Sequence, residues 1–102
     1  MENIALFPGS FDPFTKGHLD IVNRSLRLFH KVIIAIGHNS RKNRYFDISK
    51  TKEAMEKYFQ DNSRVEVLIY DELTADIAKK KNAKYLIRGL RNTTDFEYEN
   101  SI

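Results

Sequence analysis

The segment Pro8-Gly-Ser-Phe-Asp-Pro-Phe-Thr-Lys-Gly-His18 concentrates the side chains of this chain that could do chemistry. It carries hydroxyls at Ser10 and Thr15, an imidazole at His18, and glycines at positions 9 and 17. Gly9 lets the backbone approach a ligand closely, and Pro8 and Pro13 stiffen the turn. Further along stand the basic groups of Lys42, Arg88 and Arg91. This set suits an anion, and in particular a phosphoryl group lodged against the imidazole, with Gly17 leaving room beside His18. A plainer reading stands beside it: a turn between a strand and a helix, carrying a solvent-exposed histidine.

The chemistry requires elements that hold the segment in place. Residues 3–7, with the apolar run Ile4-Ala-Leu-Phe7, predict a strand. From Gly17 onward Leu19, Val22, Leu26 and Phe29 recur at helical spacing, which predicts a helix over 17–29. The loop therefore meets a helix N-terminus, where free N–H groups and the positive end of the dipole face anything anionic.

Residues 31–37 hold the unbroken run Val32-Ile-Ile-Ala-Ile36 and predict a central strand buried on both faces. A basic loop over 37–47 follows, with Arg41, Lys42 and Arg44, and loops of this kind carry ligands in open α/β sheets. A second helix is expected over 49–60, capped by Asp47 or Ser49 without a full capping box. The alternation in 64–70 predicts a strand near an edge. A third helix over 74–81, capped by Thr74 or Asp71, precedes a strand at 84–87, and residues 95–101 read as the start of a fourth helix.

Strands and helices thus alternate, the pattern of an α/β fold with a parallel sheet and crossover helices. In such a sheet the strand C-terminal ends share one edge, so His18, Lys42, Arg88 and Arg91 converge there on one crevice.

Composition narrows the alternatives. The 102 residues fit one domain, and 41% hydrophobic with 30% charged residues is ordinary for a folded chain. The excess of 17 Lys+Arg over 14 Asp+Glu suits anionic small molecules. Lys79, Lys80 and Lys81 form the densest basic run, at a helix end where cations complement the dipole, and no aromatic platform interleaves with them. A nucleic-acid partner is therefore not expected. There is no cysteine, hence no disulfide or thiolate metal site. The longest aliphatic run is far too short to span a membrane, and a cytoplasmic location is the simplest expectation.

The string Pro8 to His18, with Thr15-Lys-Gly-His18 at its end, resembles the N-terminal signature of the nucleotidylyltransferases. Together with Ile87-Arg-Gly-Leu-Arg91 and Asp95-Phe-Glu-Tyr-Glu99, it resembles bacterial phosphopantetheine adenylyltransferases in particular. The resemblance implies a Rossmann-like nucleotidylyltransferase fold and transfer of an adenylyl group from ATP to 4′-phosphopantetheine, giving dephospho-coenzyme A and pyrophosphate. It implies that His18 holds the α-phosphate and stabilises the transition state. Ser10, where the family usually has Thr, and Phe11 would contact the pantetheine phosphate and ATP. Lys42 would bind the acceptor phosphate, Thr74 and Arg88 would contact phosphopantetheine, and Gly89, Leu90, Arg91 and Glu99 would bind ATP. Mg²⁺ and a homo-oligomer, a hexamer, are also implied.

Other readings stay open for several of these residues. Lys42 sits among Arg41 and Arg44 and reads equally as loop charge, Arg88 and Arg91 as partners of Asp95, Glu97 or Glu99, and Glu99 as an exposed helix residue. The resemblance covers residues 3–99, whereas the family is longer, with a fifth strand, further helices and a serine-rich segment on the ATP phosphates. That difference supports a second expectation: a truncated, weakly active or inactive module that binds nucleotide or pantetheine and self-associates through an exposed sheet edge. A third is a related adenylyl- or cytidylyltransferase with another acceptor, against which the two later motifs argue.

Overall fold

The computed structural model describes residues 3–38, 44–89 and 96–100, the last stretch as backbone. The apolar runs become strands β1 (Ile4–Gly9), β2 (Lys31–Gly37), β3 (Val65–Tyr70) and β4 (Tyr85–Gly89), and a fifth strand, β5, spans Phe96–Asn100. Helices α1 (Lys16–Ser25), α2 (Ile48–Tyr58) and α3 (Thr74–Lys80) alternate with the first four strands. Sheet order is β3-β2-β1-β4-β5, the first four strands parallel. The α/β expectation is met.

Alternation along the strands sorts the core into two layers. Ala5, Phe7, Val32, Ile34, Ile36, Val67 and Ile87 pack with Ile21 and Val22 of α1 and Met55 of α2. Leu6, Ile33 and Ala35 point to the opposite face and pack with Ile77 and Ala78 of α3. β2 is buried along Val32 to Ile36, as expected of a strand covered on both faces, and β3 lies at the sheet edge.

β1 leads to β2 and β3 on one side, and the chain then crosses through α3 to β4 on the other. The strand order therefore reverses between β1 and β4. A ligand crevice forms at such a switch point, outside the strand C-terminal ends. The loop after β1 and the Arg88-Gly89 end of β4 border it.

Three expectations need correction. Residues 96–100 are a strand antiparallel to β4, not a helix. Phe96 and Tyr98 alternate with Glu97 and Glu99, a period of two with good strand formers, and β4 offered an edge needing hydrogen-bond partners. The edge expected to invite self-association is thus covered by β5. Neither Thr74 nor Asp71 caps α3: its N-cap is Leu73, with no side-chain hydrogen bond. Helix α1 stops at Ser25 rather than continuing to Phe29: the Arg27 and Leu28 N–H groups donate three residues back, to Arg24 O and Ser25 O, which tightens the chain into turns, and the Arg64 side chain takes carbonyls beyond the helix. Arg64 donates from Nε to His30 O at 2.9 Å and from Nη2 to Phe29 O at 2.7 Å, and also to Leu26 O.

Candidate active site

The loop from Ser10 to Thr15 joins β1 to α1. Thr15 is the N-cap of α1, and His18, three residues on, completes a reciprocal capping box with it. The Thr15 backbone N–H donates to His18 Nδ1 at 2.9 Å, and the His18 backbone N–H donates to Thr15 Oγ1 at 3.4 Å. An amide always brings its proton, so Nδ1 must present a lone pair and the proton of the neutral ring sits on Nε2. The helix cap thereby selects the tautomer that offers a donor to a ligand.

Aromatic rings fix the imidazole on the other sides. Phe14 stacks on it at 5.5 Å, and Phe11 and Phe7 meet it edge-on at 5.0 and 6.2 Å. Burial among these rings holds the His18 pKa below its ordinary value, which favours the neutral donor. His18 lines a cavity of about 400 Å³ with Phe7, Pro8, Gly9, Ser10, Phe11, Asp12, Pro13 and Thr15. The cavity lies at the N-terminus of α1, where the helix dipole favours negative charge.

Phe11 and Gly9 also have packing roles that the sequence does not suggest. Phe11 is buried and adopts a positive φ of 48°. A Cβ at Gly9 would come within 3.1 Å of the Phe11 ring, so glycine there makes room for the ring as well as for any ligand. Ser10 is exposed, with its carbonyl turned to Arg44 Nη1 at 2.6 Å.

The loop after β2 is fastened to the loop after β1. Asp12 accepts the backbone N–H groups of Tyr45 and Phe46 at 2.8 and 2.9 Å. Neither Asp12 nor Arg44 was singled out from the sequence, since their partners lie more than thirty positions away. Tyr70 was missed too: its hydroxyl meets Thr74 Oγ1 at 3.1 Å. A Cβ on Gly37 would lie 3.8 Å from that hydroxyl and 3.7 Å from Gly9 O. Thr74 is thereby tied to the crevice side of β1 and β2.

Of the remaining predicted site residues, Arg88 and Gly89 close β4 at the crevice. Glu99 stands opposite Leu86 in β5, while Phe96 stands opposite Gly89, so Glu99 is not brought to the crevice edge. Lys42, Leu90 and Arg91 lie outside the described residues. Among the described residues no three His, Cys, Asp or Glu side chains cluster as metal ligands. A larger apolar groove of about 470 Å³, lined by Phe14, Leu19, Phe46, Met55 and Tyr58 among others, runs between α1 and α2. No described helix is long and apolar enough to cross a membrane.

Known proteins resemble this chain in sequence and in fold. The cytidylyltransferase-like family model matches residues 6–102. A phosphopantetheine adenylyltransferase from Cytophaga hutchinsonii is 64% identical over 102 residues, which cover 100% of this chain and 68% of that protein. The chain belongs to the phosphopantetheine adenylyltransferase family. The family member from Flavobacterium johnsoniae is 48% identical over 98 residues, covering 96% of this chain and 64% of its own length. The chain thus spans about two thirds of the length of these family members. Among solved structures, a bifunctional NMN adenylyltransferase/ADP ribose pyrophosphatase from Francisella tularensis superposes with a TM-score of 0.60 at 30% identity, over 79% of this chain and 25% of that one. A nicotinic acid mononucleotide adenylyltransferase from Plasmodium falciparum, 19% identical with a TM-score of 0.58 over 80% of this chain and 45% of its own, shares the fold.

Proposed function

We propose that this chain transfers the adenylyl group of ATP to 4′-phosphopantetheine, releasing pyrophosphate and forming dephospho-coenzyme A. The observation that carries the reading is the capped His18, whose cap leaves Nε2–H to donate in a cavity at a helix N-terminus. In the reaction an oxygen of the acceptor phosphate bonds to the α-phosphorus of ATP as the bond to pyrophosphate breaks. That oxygen is already ionised near neutral pH, so no strong general base is required. Catalysis then consists of alignment and of charge stabilisation on the α-phosphate.

In this reading His18 Nε2–H donates to an α-phosphate oxygen, and the Ser10-Phe11 turn lies beside it. Lys42, Thr74 and Arg88 take the acceptor, and Gly89, Leu90 and Arg91 the nucleotide. Magnesium enters with ATP as part of the substrate. Asp12, the carboxylate nearest His18 in the loop, is already committed to the Tyr45 and Phe46 amides, and a magnesium ion on triphosphate keeps mainly phosphate and water ligands. A cytoplasmic homo-oligomer fits the same reading.

The test is incubation of the chain with Mg-ATP and 4′-phosphopantetheine, with product detected by mass spectrometry. Dephospho-coenzyme A and pyrophosphate in equal amounts are expected. Nicotinamide mononucleotide is included as a competing acceptor because of the Francisella structural neighbour. Binding of both substrates without product would favour the binding-module alternative, and product with the mononucleotide alone would move the chain to another acceptor.

A further inference from the structure

We propose that Arg44 is a positioning residue that holds the Ser10-Phe11 turn in its phosphate-binding shape; this rests on the reading of that turn given above. Its guanidinium is largely enclosed, with 16% of the side chain exposed, and spans the two loops. Nη1 donates to Ser10 O at 2.6 Å, Nη2 to Phe11 O at 3.4 Å and Nε to Phe46 O at 2.9 Å. Nη2 also lies 3.5 Å from Thr51 Oγ1 of α2 and 4.0 Å from Asp12 Oδ1.

Two physical consequences follow from these contacts. A trans peptide is planar, with its C=O and N–H pointing in opposite directions. Fixing Ser10 O on Arg44 therefore turns the Phe11 N–H away from Arg44. In addition, the left-handed conformation at Phe11 is unfavourable for a non-glycine residue and persists only where its surroundings hold it. The Phe11 ring, packed against Phe7, Phe14 and His18, holds one side of the turn, and Arg44 holds its carbonyls. Lysine cannot replace it, because a single ammonium does not reproduce a planar fork that reaches three carbonyls.

The experiment compares Arg44→Met and Arg44→Lys with the parent chain by hydrogen exchange of the 8–14 and 31–37 segments, by affinity for inorganic pyrophosphate, and by kcat and KM. Both variants are expected to exchange about tenfold faster in the first segment and to keep protection in the second. Pyrophosphate binding is expected to weaken about tenfold, and kcat to fall similarly. Unchanged exchange in the 8–14 segment overturns the proposal, as does faster exchange with unaltered pyrophosphate affinity, or full rescue by lysine. If Arg44→Met fails to fold, Arg44→Lys alone carries these comparisons. Should the parent chain make no dephospho-coenzyme A, the adenylyl-transfer reading falls, while exchange and pyrophosphate affinity still decide the role of Arg44.

Discussion

His18 has two jobs in this structure, closing a helix cap and presenting a donor, and a pair of substitutions separates them. His18→Ala removes the acceptor of the Thr15 N–H, worth about 1 kcal/mol. It also removes the ring contacts with Phe11 and Phe14, worth about 1 kcal/mol together for a half-buried ring. For a domain near this length each kcal/mol shifts Tm by about 4–8 °C, so a drop of about 8–16 °C is expected. His18→Asn keeps an oxygen close to where Nδ1 stood, so the cap survives and only the ring contacts are lost. Its Tm is expected to fall by about half as much. Neither variant has a donor where Nε2 was, so both are expected to lose about 10²–10³-fold in kcat, the effect of removing one well-aimed donor. Differential scanning fluorimetry and a pyrophosphate-release assay, run well below both melting temperatures, give the two numbers. A His18→Asn chain that turns over within fivefold of the parent refutes the donor role and leaves His18 as a cap.

Three further outcomes can be checked. The His18 pKa is depressed by burial, so as pH falls the unfolded chain takes up the proton first; this contribution to stability is present above pH ~6.5 and lost as pH drops through the folded pKa, and Tm scans should show it in the parent but not in His18→Asn. Gly9→Ala places a methyl 3.1 Å from the Phe11 ring and should cost about 1–3 kcal/mol by urea unfolding, with unchanged Cm arguing that the ring moves freely. Arg64→Met should cost about 2 kcal/mol by exposing the carbonyls after α1, while kcat measured below Tm stays at the parent value, since Arg64 touches only the far end of that helix.

Local patterns were legible in the sequence and distant pairings were not. The β2 run and the first turns of the α1 periodicity each involve neighbours along the chain and appear in the structure as read, although α1 ends at Ser25. The motif located the cavity, but nothing in it shows that Thr15 selects the His18 tautomer, which depends on backbone geometry at the cap. Arg44 reads as ordinary loop charge because its acceptors are carbonyls, which every residue possesses. Residues 96–100 mislead for a related reason: five residues are too few to separate a helical from a strand period, and pairing with β4 decided between them. At α3 the hydroxyl of Thr74 is engaged by Tyr70, a competition that sequence spacing does not reveal.

The Asp12 contacts to Tyr45 and Phe46 have a consequence for heating. Both amides lie just ahead of α2, whose first turn is held by the Asp47 cap and whose inward face buries chiefly Met55 and Phe59. Such a helix detaches at a lower free energy than the central strands, as one cooperative unit. When it lifts, the loop beneath His18 loses its anchor although the sheet persists. Catalytic competence should therefore disappear several degrees before the far-ultraviolet signal of the sheet, leaving a folded but idle protein over that interval.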